Sequence, residues 1–168
     1  MRRTWSLLLL ASLLVLASSC QQQEPHSALY KQILRPELGK TFRGVDFLLT
    51  MDEVRKIEGK APQHDDKYGL IFMYRIDDTR KYYIEYLCKN PQDRRVNSMV
   101  ANIFLKDEGE TTELYQEVEA DLRSRFGAPE GSLGDLKWQD DTQETLALLR
   151  ILDDRKSLSL NYVPASGF

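Results

Sequence analysis

The chain has 168 residues, with 23 basic and 26 acidic side chains and two cysteines, Cys20 and Cys88. A mildly acidic balance with no long basic block argues against nucleic acid or anionic lipid as a binding partner. So few cysteines exclude a disulfide scaffold, and the length suits one domain held by one hydrophobic core.

The first element is a leader. Arg2 and Arg3 precede an apolar stretch from Leu7 to Leu16, and the small residues Ala17, Ser18 and Ser19 then lead to Cys20. This is the layout of a secretory signal, and its apolar part is short of the ~20 residues a spanning helix needs. The run Leu16-Ala17-Ser18-Ser19-Cys20 resembles the lipobox of bacterial lipoproteins. That resemblance implies cleavage after residue 19, acylation of Cys20 with diacylglycerol and a palmitate-type chain, and a lipid bilayer as the first partner. Gln21, where an inner-membrane lipoprotein would carry Asp, resembles the outer-membrane default. The expected location is the cell envelope, lipid-anchored at the outer membrane and facing the periplasm. Loss of Arg2 and Arg3 leaves 21 basic against 26 acidic residues, a net of −5.

Residues 20–41 read as a tether that includes a short helix. Gln21-Gln22-Gln23-Glu24-Pro25-His26 is polar and aperiodic, and Ser27 caps a turn through Leu29, Ile33 and Leu34 that stops before Pro36. The single domain is expected over 42–168. Thr50 and Glu53 have capping-box spacing and open a helix with Val54 and Ile57 inward, closed by Gly59 and followed by Pro62. Strand-like runs at 68–75, 81–88 and 97–105 follow, joined by polar turns at Asp77-Asp78 and at 90–93. Leu114, Val118, Leu122 and Phe126 recur every four residues and predict a helix over 112–126 that ends at Gly127. After a loop carrying Trp138, 145–152 and 157–163 read as a hairpin, its last strand wet on one face through Ser157, Ser159 and Asn161.

The expected fold is α+β: an antiparallel sheet of about five strands with two main helices on one face, in the order α-β-β-β-α-β-β. Glu53-Val54-Arg55 before Gly59 echoes Asp121-Leu122-Arg123 before Gly127 at the same spacing, which suggests two helix-then-hairpin units building one sheet. This order resembles small envelope α/β domains of the outer-membrane assembly lipoprotein and β-lactamase-inhibitor-protein type. The resemblance implies binding rather than catalysis.

The chemistry-bearing residues point the same way. The only histidines are His26, in the tether, and His64, beside Asp65 and Asp66 in a polar segment that lacks a metal set. Asp77-Asp78, Asp140-Asp141 and Asp153-Asp154 read as turn formers because they lack the alternating oxygens and turn glycine of a calcium loop. Cys88 has no partner for a disulfide once Cys20 is acylated and reads as a buried inert thiol. No catalytic, cofactor-binding or metal residues are assigned, and the chain is not read as an enzyme. The tyrosines of the first two long strands are the exception to this blandness. Tyr82 and Tyr86 must face one way and Tyr83 the other, and Tyr74 and Tyr83 are taken as the partner surface. The leading expectation is a membrane-anchored, non-catalytic module that binds an envelope protein. The alternative is a sensor of a small apolar ligand held between helix and sheet, and an enzyme of another type ranks below both.

Overall fold

The computed structural model describes residues 26–140 and 145–165. Cys20 and the leader lie outside the described residues, as does Asp141. Helix α1, Ala28–Leu34, starts where the Ser27 hydroxyl accepts the Tyr30 N–H and ends with Arg35 in the left-handed region before Pro36. Helix α2, Met51–Glu58, has both halves of the Thr50–Glu53 capping box and ends on left-handed Gly59. Helix α3, Glu108–Phe126, begins four residues before the apolar repeat suggests, because the Asp107 carboxylate caps the Glu110 N–H.

Each of α2 and α3 leads into a four-strand meander. The first is β1 His64–Asp66, β2 Gly69–Arg75, β3 Lys81–Leu87 and β4 Ser98–Phe104; the second is β5 Glu130–Ser132, β6 Asp135–Gln139, β7 Thr145–Ile151 and β8 Ser157–Pro164. The strands form one antiparallel sheet in the order β1-β2-β3-β4-β8-β7-β6-β5, so the two meanders are mirrored about the β4–β8 seam. The expectation of about five strands and two main helices is thus corrected, among the described residues, to eight strands and three α-helices. β1 and β5 are three exposed residues each and carry no apolar alternation to reveal them. β6 replaces the loop expected around Trp138, its Leu136 and Trp138 alternating in period two and buried.

Tight approaches place glycine at two of these strand positions. A Cβ at Gly69 would collide with the Tyr86 carbonyl oxygen, and one at Gly131, where φ is +111°, with that of Asp135.

All three helices lie on the same side of the sheet, and the core fills the space between. Leu70, Tyr86, Met99, Tyr162, Ala147 and Trp138 form one buried row across six strands, and Phe72, Ile84, Ala101, Leu160, Leu149 and Leu136 form the next. Helix α1 joins this core through Tyr30, Ile33 and Leu34. Packing therefore begins near residue 30 and not at Phe42, which shortens the stretch that can act as a tether. No described helix is long and apolar enough to cross a membrane.

Candidate functional site: the open face of the sheet

Because side chains alternate along a strand, the residues between the core rows point to the face without helices. One row there runs His64, Ile71, Glu85, Val100, Asn161, Leu148, Lys137 and Glu130 across all eight strands. Beside it run Met73, Tyr83, Asn102, Ser159, Arg150, Asp135 and Ser132. Leu87, Phe104, Leu146 and Val163 complete the apolar content at the strand ends. No described element covers this face.

A polar ladder occupies its middle. Asn102 Nδ2 donates to Glu85 Oε1 at 2.9 Å, Ser159 Oγ donates to Asn102 Oδ1 at 3.0 Å, and Asn161 Nδ2 donates to Ser159 Oγ at 3.1 Å. The ladder links β3, β4 and β8 and so crosses the seam between the meanders. Around it, Tyr83 meets Phe104 edge-on at 5.9 Å with Lys81 over both rings, and Arg150 pairs with Asp135 at 3.1 Å. Half-buried apolar side chains thus frame a hydrogen-bonded polar centre, the reverse of the apolar centre and polar rim common at protein interfaces.

Of the two tyrosines expected at the partner surface, only Tyr83 is on this face. Tyr74 stands opposite Tyr82 in the register, stacks on it at 4.8 Å and belongs to the helical side. Its hydroxyl donates to Glu58 Oε2 at 2.5 Å, which brings it into a buried knot. Arg43 there grips Glu58 through Nε and Nη2, both at 2.9 Å, and Tyr86 also donates to the carboxylate. Arg35 reaches the same carboxylate at 3.4 Å from the end of α1. Arg43 Nη1 donates to the Ile33 carbonyl, and the Tyr82 hydroxyl to that of Gln32 at 3.2 Å. Burial works against ionising Glu58, but the Arg43 hydrogen bonds and charge together with the two phenols outweigh it and hold the carboxyl below its ordinary range. The same burial and the nearby carboxylate push the Tyr74 and Tyr86 phenols up. Every polar group at the centre of this knot is satisfied, so it ties α1, α2, β2 and β3 together and offers no reactive atom.

The remaining candidates are also engaged. His26 stacks on Tyr30 at 3.9 Å, and His64 lies on β1, hydrogen-bonded to Asp66 at 3.1 Å. Asp65 sits between Arg55 and Arg94, whose hydrogen bonds lower its carboxyl. Cys88 is buried, its thiol donating to the Lys67 carbonyl at 3.2 Å, and burial pushes that thiol up. Asp77 accepts from the Thr79 and Arg80 backbone, and Asp154 from Lys156 and Ser157, as turn aspartates do. Among the described residues, no three His, Cys, Asp or Glu side chains are grouped to hold a metal.

Two cavities open beside the helices. One, of about 540 Å³, lies among α3, the β5–β6 turn and the β7–β8 turn, with Tyr115, Leu133 and Arg155 in its wall. The other, of about 190 Å³, lies between α1, the 39–43 loop and the end of α3, with Arg43, Arg125 and Tyr162 in its wall.

The Glu58 knot escapes a reading of the sequence because its partners are scattered from Ile33 to Tyr86. The one available signal is an acidic residue in the last turn of α2, where the helix dipole disfavours it. The ladder was partly legible in the alternation of Ser157, Ser159 and Asn161, but its β3 and β4 members were not. No protein-family model, curated protein or solved structure matches this chain.

Proposed function

We propose that the chain is an envelope lipoprotein, anchored through acylated Cys20 at the outer membrane on its periplasmic side. On this reading it is a non-catalytic module that binds another envelope protein with the open face of its sheet. The observation that carries the binding part is this face itself: two cross-strand rows with half-buried Ile71, Met73, Tyr83, Val100 and Leu148 around the Glu85–Asn102–Ser159–Asn161 ladder, uncovered by any described element. The surface is already ordered by the sheet, so association would cost little further ordering. Covering the ladder would desolvate the Glu85 carboxylate at its end, so a partner without a compensating group would be disfavoured, which gives selectivity to a surface otherwise sticky through its apolar residues.

The anchor is tested by mass spectrometry of the mature N-terminus and by fractionation of Cys20→Ala. An unmodified chain beginning at Met1, or unchanged membrane association of the variant, would refute it. The binding face is tested with a photo-crosslinking residue at Val100 or Met73 and, as a control, at Ala120 on the exposed side of α3. The expected result is one discrete envelope-protein adduct from the sheet positions, lost when Asn102→Lys is added and absent from the control. Adducts that are equal from both sides, or insensitive to Asn102→Lys, would rule the face out.

A further inference from the structure

We infer that the acyl anchor holds the helical layer toward the bilayer and turns the open sheet face away from it, so that a partner protein is met on the side remote from the lipid. This rests on the lipid-anchor reading. The chain enters the fold on the helical layer. His26 stacks on buried Tyr30, and the Ser27 N–H and hydroxyl donate to Glu117 Oε2 at 3.3 and 2.9 Å. Glu117 lies midway along the 19-residue α3. The entry point is therefore pinned beside the midpoint of α3.

Six peptide units separate Cys20 from His26. Whatever their conformation, they reach at most about 21 Å. For the sheet face to meet the lipid, these residues would have to pass an end of α3, about 14 Å away, and then descend past a second layer, about 10 Å further. The sum exceeds the full extension. With the helical layer toward the bilayer, no such detour is needed.

Charge keeps this near side from lying flat. Helix α3 carries Glu108, Glu110, Glu113, Glu117, Glu119 and Asp121 against Arg123 and Arg125, an excess that an anionic leaflet repels over about 8 Å at physiological salt.

The test uses the full-length acylated chain in phosphatidylethanolamine–phosphatidylglycerol vesicles that carry a fluorescent acceptor on a fraction of the headgroups. In a Cys88→Ala background, a donor dye is placed at Ala120→Cys on exposed α3, or at Lys81→Cys or Arg150→Cys on the open face. Energy transfer from position 120 should exceed that from positions 81 and 150 at least twofold. A flexible 20-residue insertion between Gln23 and Glu24 should bring the ratio toward one. Equal or reversed transfer from vesicle-bound, acylated protein would overturn the orientation while leaving the anchor standing. A chain that is neither acylated nor vesicle-bound would overturn both.

Discussion

The two faces of the sheet are built from the same strands one residue out of phase, yet they are solved differently. On the covered face the two central rows are buried from β2 to β6, and Glu58, the one buried carboxylate among the described residues, is surrounded by donors. On the open face the polar ladder sits at the centre with Ile71, Met73, Tyr83, Val100 and Leu148 half-buried around it, while Ser157, Ser159 and Val163 of β8, expected to be wet or at the rim, are buried. A surface meant only for solvent has no need of Ile71, Met73, Val100 and Leu148 in register, and a surface meant for a core would not carry Asn102 and Asn161. The contrast separates residues that hold the fold from residues free to recognise something.

The sharpest way to break that contrast is to remove one side of the buried ion pair. Arg43→Met should cost about 3–5 kcal/mol in urea unfolding, since it leaves Glu58 charged and dry, and adding Glu58→Leu should recover much of the loss. If Arg43→Met proved neutral, the knot would not be structural. Leu160→Ala, in the middle of the second core row, should cost about 2–5 kcal/mol. The capping box is worth less: Thr50→Ala should lower stability by about 1 kcal/mol with the amplitude of the transition unchanged. Smallest of all, Val100→Thr on the open face should fall within about 0.5 kcal/mol while weakening the partner adduct. A large stability loss there would mean that the open face is packed against something in the folded chain.

Acid sharpens the same comparison. The folded Glu58 carboxyl is held below its ordinary value of 4.5, so its contribution is complete above that value and is lost as pH falls through the depressed one. Unfolding free energy measured from about pH 7 down to about pH 3 should therefore fall, and Glu58→Gln should remove part of that slope. The open-face variant Asn102→Ala should leave the slope as it is.

Much of the covered face was legible in the sequence, because burial imposes periodicity. Leu114, Val118 and Leu122 announce α3, and the alternation of Leu158, Leu160 and Tyr162 places the core side of β8. Capping chemistry was legible for the same local reason, in Thr50 with Glu53 and in Gly59 and Gly127. What stayed hidden depends on neighbours distant in the chain. β1 and β5 are strands only because β2 and β6 lie beside them. Tyr74 faces the helices because of its register with Tyr82, although its composition alone suited an exposed surface equally well. Leu29, Ile33 and Leu34 looked like a turn within a tether, since nothing local says that α3 waits 80 residues away to receive them.

The mirrored strand order also sets a schedule. β4 and β8 close each meander and are joined only to each other at the seam, so the first meander, made earlier in synthesis, keeps an unpaired backbone edge along β4 until the second is nearly complete. During that interval Met99, Ala101 and Ile103 have no β8 neighbour and invite association with another newly made chain. The late arrival of Ser157–Pro164 thus closes that edge, which makes any truncation before residue 157 a folding lesion and not a trimming of the tail.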